Sequence, residues 1–249
     1  MLQLKITSNL DVLRRALTDT QRNRIPSITR NALNDAAIDA RDAERLKIAQ
    51  VFDRPTRFTI NSPVFPKHLK ATKEHLVATV GMLRDEAAGG TPPASYLSPQ
   101  VQGGPRRLKP FERRLREAGI LRAGEFAVPA RGVRLNAYGN ISGAMLAQIL
   151  SQLRAYSEVG FLANETKGSR KRAGARRQAR YFVPRTEGGR LPRGVYERRG
   201  RDIKAVLIFV DAAPRYRPLY KFGDAGARAA AAAFEGHWLK YFHKEFPAR

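Results

Sequence analysis

Between Thr166 and Arg201, thirteen lysines and arginines stand against two acids, Glu187 and Glu197, a net charge of +11 in 36 residues. Side chains of this type do one kind of chemistry without help: they neutralise phosphates or carboxylates, and on nucleic acid they gain free energy by releasing condensed counterions. The residues placed to do so are Lys167, Arg170, Lys171, Arg172, Arg176, Arg177, Arg180, Arg185, Arg190, Arg193, Arg198 and Arg199. Tyr181 and Phe182 lie among them and offer faces for stacking on bases, although aromatic residues are too few here for a single-strand platform. An acidic neighbouring subunit would satisfy the segment as well as a phosphate backbone does. The same residues also fit a solvated hairpin whose charge keeps its edge from pairing with another sheet.

Other chemistries find less support. His68 and His75 fall on either side of an expected hairpin, while His237 and His243 are six apart on a helical stretch, roughly 240° around its axis. No HExxH pattern accompanies them, so all four are expected to be structural or surface groups, and no metal or cofactor is implied. Carboxylates concentrate on one helix, as Asp35, Asp39, Asp42 and Glu44, interleaved with Arg41, Arg45 and Lys47. A two-metal nuclease needs several acids converging. Gly139-Asn140-Ile141-Ser142-Gly143 lacks the spacing of a nucleophile elbow, no phosphate-loop pattern is present, and the absence of cysteine excludes thiolate chemistry and disulfides. The expectation is a protein that is not an enzyme. No recognition helix of the helix-turn-helix kind stands out, so sequence-specific DNA reading is not expected either.

The whole chain carries Lys+Arg 46 against Asp+Glu 22, a net charge of +24 over 249 residues. Self-repulsion on that scale opposes compaction unless a partner of dense negative charge relieves it. At 43% hydrophobic residues a packed core is affordable without being generous. The start, MLQLKITSNLDVLRR, shows no signal peptide. The longest nearly continuous apolar run, Ala205–Val210, is far short of a bilayer span. A soluble protein made in a reducing cytosol is expected.

The elements that must position the cations follow from periodicity. A short helix is expected over Asp11–Gln21, broken at Ile25-Pro26-Ser27, and a longer one from about Ser27 to Phe52 with an alanine face and an end at Arg54-Pro55. Arg57–Ile60 alternates as a strand, and His68–Thr72 is expected to pair with His75–Met82 around Lys73-Glu74. Asp85–Arg107, rich in Gly, Pro and Ser, is expected to be a long loop or arm. A helix over Pro110–Ala118 follows, with Phe111 and Leu115 inward. Weak strands are expected at Phe126–Val128 and Val133–Leu135, and a helix over Ile141–Tyr156 capped by Ser142 or Asn140. Tyr181-Phe182-Val183 and Gly194–Glu197 read as strands flanking a turn at Gly188-Gly189. Ile203–Val210, apolar on both faces, reads as a central strand. Asp211–Phe222 is a Pro-marked connection to a last helix, capped by Asp224 and running to about Glu245, whose stripe of Phe234, Trp238, Tyr241 and Phe242 reads as core. The fold class is therefore α+β, a small mostly antiparallel sheet packed with a long N-terminal helix, a mid-chain helix and a C-terminal helix, plus extended loops. Residues 1–249 are expected to form a single domain with an insertion at about 85–107 and a basic arm at about 163–202.

Three segments carry a family resemblance: Ile28–Phe52 with its exit (NALNDAAIDARDAERLKIAQVFDRPTRFT, from Asn31); Tyr96–Gly104 (YLSPQVQGG) with Arg106–Glu112 (RRLKPFE); and Tyr138-Gly139-Asn140 with Gln148–Ser151 (QILS). Together, over about residues 25–160, they resemble prophage tail proteins of tailed bacteriophages and, more loosely, the minor tail protein Z (tail completion) family. The insertion and the basic arm depart from the smaller members. The resemblance implies a structural virion protein at the tail or head–tail interface, made in the bacterial host cytoplasm and forming a homo-oligomeric ring with other tail or connector proteins around the DNA channel. A basic protein bound non-specifically to the phage genome is the alternative expectation.

Overall fold

The structure, a computed structural model, describes residues 10–82, 91–156, 164–175, 179–184 and 191–247. The chain divides into two compact units, one made of residues 1–87, 92–95 and 219–249 and the other of residues 88–91 and 96–218. The α+β class expected from the sequence is what the chain adopts, with long N- and C-terminal helices, a mid-chain helix and small antiparallel sheets.

In the first unit, α1 (Leu10–Asp19) passes through a π-helical turn (Thr20–Arg24) into α2 (Ile25–Val51). The expected break at Ile25-Pro26-Ser27 is thus a widened turn. Pro26 has no N–H and its ring crowds the carbonyl one turn back; the chain answers by opening, so that Ile25 N–H reaches the Thr20 carbonyl. α8 (Asp224–Glu245) lies antiparallel along α2. Trp238 reaches Thr29 at 3.3 Å and stacks on Phe242 at 5.1 Å between centroids, so the aromatic stripe is half-buried between the helices.

Several local expectations for this unit are corrected. Arg57–Ile60 is a helical turn, α3, because the Thr56 side chain accepts the Thr59 N–H and caps it. His68–Thr72 and His75–Met82 approach through a turn (Thr72 N–H to His75 O, 2.9 Å) without a ladder; Lys67–Leu69 is a 3₁₀ turn, and the strand β2 (Gly81–Met82) pairs instead with β1 (Pro63–Val64). Of the expected 85–107 loop, residues 85–90 lie outside the described ones, while α4 (Pro93–Gln102) is helical, with Pro93 in the first turn where its missing N–H is not needed. Asp224 is the first residue of α8; the cap is Gly223, in a left-handed conformation at φ 101° that glycine alone adopts without strain.

The second unit is built on a four-stranded antiparallel sheet of order β4-β7-β6-β5, from β4 (Phe126–Pro129), β5 (Arg180–Phe182), β6 (Gly194–Arg199) and β7 (Asp202–Val210). β7, apolar on both faces, is interior as expected. β3 (Gly104–Pro105) and β8 (Arg215–Tyr216) form a separate small ribbon. α5 (Pro110–Glu117) and α6 (Gly143–Gln152) pack on the core, which gathers Leu115, Leu121, Ile149, Leu150, Tyr181, Val195, Val206 and Leu207. Ser142 caps α6 through the Met145 N–H, and α6 is shorter at both ends than the expected Ile141–Tyr156. Val133–Leu135 forms no strand. The Gly188-Gly189 turn lies outside the described residues. α7 (Lys167–Ala175) is a helix where none was expected.

Both outer strands of this sheet are sealed by side chains of the same unit. In an antiparallel ladder alternate residues turn their N–H and C=O away from the partner strand. On β4 that residue is Ala127, whose N–H goes to Glu112 (2.8 Å) and whose carbonyl accepts from Arg106 (3.3 Å). On β5, Tyr181 N–H is taken by the Gln152 side-chain oxygen (2.8 Å), and the Gln152 amide donates to the Ala179 carbonyl (3.1 Å). Gln152 therefore stands in for a fifth strand. Gln152→Leu is expected to lower stability by about 1–2 kcal/mol through two unmade hydrogen bonds and to introduce concentration-dependent self-association; thermal melting and sedimentation velocity would read the two effects.

Candidate polyanion interface

Charge is unevenly shared between the units. The second holds 26 of the lysines and arginines against nine acids, the first 20 against 13. Burial sharpens the contrast, because the second unit spends three of its carboxylates internally. Glu112, 1% exposed, is forked by Arg106 with both contacts at 2.6 Å. Glu125, 6% exposed, is forked by Arg193 at 2.8 and 3.0 Å. Glu165, 7% exposed, takes Arg180 at 2.8 Å and Arg170 at 3.1 Å. Glu197 pairs with Arg199. Four of nine acids are thereby covered by arginines, and the surface that solvent meets is left strongly cationic. Arg193 beside Glu125 holds that carboxyl below its usual range. For Glu112, burial alone would raise the value, and it is outweighed by Arg106 together with the Lys109 and Ala127 N–H groups.

The predicted cations separate into groups. Lys167, Arg170, Lys171 and Arg172 lie exposed on α7, Arg198 and Arg199 are exposed on β6, and Arg180 is half-buried on β5. Arg193 turns inward: besides Glu125 it donates to the Ile120 carbonyl at 3.2 Å and lies over the Phe209 ring, so it holds the core together and does not present a surface charge. Arg176, Arg177, Arg185 and Arg190 lie outside the described residues.

What brings α7 to the sheet is a short ordered entry. Asn164 clasps Tyr156 through both its backbone groups (3.3 and 3.1 Å), and Glu165 N–H donates to the Ser151 carbonyl. Thr166 and Ser169 exchange side-chain and backbone hydrogen bonds that start the helix. Glu165 then ties Arg170 of α7 to Arg180 of β5. By register Arg180 stands opposite Arg198, and the Arg198 guanidinium lies over Phe182 at 5.2 Å. α7 and the β5–β6 pair thus form one cationic surface with fixed members. Sequence reasoning missed Glu165 and Gln152, which organise it, since neither sits in a local pattern.

In the first unit the long-range contacts are structural. Glu44, 1% exposed, accepts from Tyr220 Oη–H and from the Gly223 and Gly226 N–H groups (3.1 and 2.7 Å), capping α8 from α2. Gly226 is closely approached: an added Cβ would lie 3.1 Å from the Ala40 carbonyl oxygen, tighter than an ordinary contact. His237, which has no acidic motif nearby in sequence, is placed 2.6 Å from Asp39 and 3.9 Å from Asp35 by the packing of α8 on α2, and Tyr241 donates to Asp35 at 2.8 Å. Among the described residues no group of three or more His, Asp or Glu is arranged to hold a metal ion, and no described helix is long and apolar enough to cross a membrane. An apolar hollow of about 440 Å³ is lined by Ala36, Ala37, Ala40, Ala230 and Phe234 among others, and the carboxylate in its lining, Glu44, is already fully engaged. No family profile, curated protein or solved structure matches this chain.

Proposed function

We propose that this chain is a structural, non-enzymatic subunit of a tailed-bacteriophage virion, acting in tail completion or at the head–tail junction. It docks through the arginine-rich surface of its second unit onto a polyanionic neighbour and assembles as a ring about the DNA channel. What carries the reading is the partition of charge: the second unit pairs four of its nine acids with arginines and exposes cations on α7 and β6, an arrangement that disfavours an isolated monomer and suits an anionic partner. The three segments that resemble tail proteins supply the station on the virion.

The purified protein is expected to bind DNA without sequence preference, with an affinity that falls at least tenfold between about 50 and 200 mM salt. Light scattering should show assembly promoted by polyanion at low salt, where repulsion between copies is least screened. Particles emptied of DNA should retain the chain in fixed stoichiometry, and imaging of intact particles should place it at the tail or its junction with the head. Turnover of a substrate, or absence from mature particles, overturns the reading.

A basic protein bound to the phage genome is the second reading, and arginine favours it: 34 of the 46 cations are arginine, the residue better suited to phosphate. In that case the chain leaves the particle with the DNA.

A further inference from the structure

We infer that Arg170 and Arg180, held on the two oxygens of Glu165, form a preorganised clamp for a backbone phosphate of nucleic acid. The inference rests on the polyanion reading above and names the ligand of that surface.

A surface arginine is ordinarily free to rotate and must be ordered when it binds. Here that ordering is done in advance. Glu165 is 7% exposed and fixed by its own backbone bond to Ser151. Its Oε1 accepts from Arg180 Nη1 at 2.8 Å and its Oε2 from Arg170 Nε at 3.1 Å. One N–H of each guanidinium is given to the carboxylate, and the other donors of each fork lie on side chains still 49% and 31% exposed. Two guanidinium groups gripped by different oxygens of one carboxylate present their remaining donors from two directions. A planar carboxylate offers its acceptor sites in one plane, whereas a tetrahedral phosphate directs oxygens out of plane to two forks that approach from different directions. Lys167 and Lys171, four residues apart, share one face of α7, with Arg170 three residues from Lys167 on its flank, and the two lysines can take the neighbouring phosphates of the same strand.

The two opposed effects of Glu165 make the inference testable. Glu165→Gln adds one unit of positive charge, so a surface that acts only by summed charge binds DNA more tightly and with a steeper salt dependence. If the carboxylate positions the clamp, the same substitution weakens binding roughly fivefold, the expected result of releasing two ordered side chains. The slope of log affinity against log salt then becomes shallower by about one, one phosphate fewer being engaged. Loss of stability without loss of the clamp leaves that slope unchanged.

The experiment titrates a short labelled DNA duplex of mixed sequence, and separately polyglutamate, against the full chain and its variants across a salt series, with thermal melting to confirm folding. Arg180→Lys keeps the charge and loses the fork; it is expected to weaken duplex binding about threefold and carries the test if Glu165→Gln fails to fold. Equal or tighter duplex binding by Glu165→Gln, with a steeper slope, overturns the clamp and leaves the docking surface standing. If the wild-type chain binds neither probe at low salt, the docking surface itself is refuted, and the clamp with it. Polyglutamate bound as tightly as the duplex, and weakened equally by Glu165→Gln, replaces phosphate by an acidic protein surface as the ligand.

Discussion

Glu112→Ala is expected to destabilise the second unit by about 3–5 kcal/mol, the range found when one member of a buried ion pair is removed, and to lower its melting temperature by on the order of 10 °C or more. The reason is the number of groups that one carboxylate satisfies. Glu112 accepts a fork from Arg106, caps α5 through the Lys109 N–H and closes the rim of β4 through the Ala127 N–H. Its loss strands all three. Arg106→Ala should cost less, because the carboxylate then keeps its two backbone donors, and that ordering is itself a check by chemical denaturation. The pH dependence follows from the direction of the shifts. Glu112 and Glu125 both have folded-state values held below the ordinary 4.5. Their contribution is therefore complete above about pH 4.5 and is lost as the pH falls through the lowered values. Denaturation midpoints measured from neutral to about pH 3 should fall in that window, less steeply in Glu112→Ala than in the wild type.

The second large effect belongs to the first unit. Glu44→Ala removes the acceptor for Tyr220 Oη–H and for two N–H groups at the start of α8, all at a site where Tyr220 is wholly buried. About 3 kcal/mol or more is expected from the unpaired donors, with a further loss because a negative charge is removed from a helix N-terminus. Tyr220→Phe leaves the two N–H bonds intact and should cost about 1–2 kcal/mol. Burial, together with the Glu44 carboxylate, pushes the Tyr220 phenol far above its ordinary range, so it remains a donor across the usable pH scale. Hydrogen exchange reports the effect locally: the amides of Gly223 and Gly226 should lose protection in Glu44→Ala before the rest of α8 does.

Legibility in the sequence follows the range of the forces involved. α5, α6, β7 and α8 declare themselves because their apolar spacing and their start signals, such as Pro110 in the first turn of α5 and the Ser142 cap of α6, are local. Arg57–Ile60 misleads because four alternating residues satisfy a strand as well as a turn of helix, and the deciding contact is the hydroxyl of Thr56. The 93–102 helix hides behind its prolines, two of which, Pro93 and Pro99, lie within the helix itself. The buried carboxylates that order the two units are hidden differently. Arg193 and Glu125 are 68 residues apart and Glu44 and Tyr220 are 176 apart, so no window over the sequence contains both partners. The excess of cations was visible in the composition; which of them turn inward, as Arg193 does, depends on where the fold places a carboxylate. Glu165 reads as one acid at the head of a basic run, and its role exists only once β5 returns beside α7.

The closed rims of the sheet bear on how copies of this chain can gather. A strand lent by a neighbour would have to displace Gln152 on one flank or the Arg106–Glu112 fork on the other, so exchange of backbone between subunits is obstructed at both. In the ring proposed above, copies that leave both rims of this sheet closed would meet there through side chains. Contacts of that kind loosen and re-form as ionic strength changes, and a particle built on them is put together by adjustment and correction, where backbone splicing would commit each subunit at its first encounter.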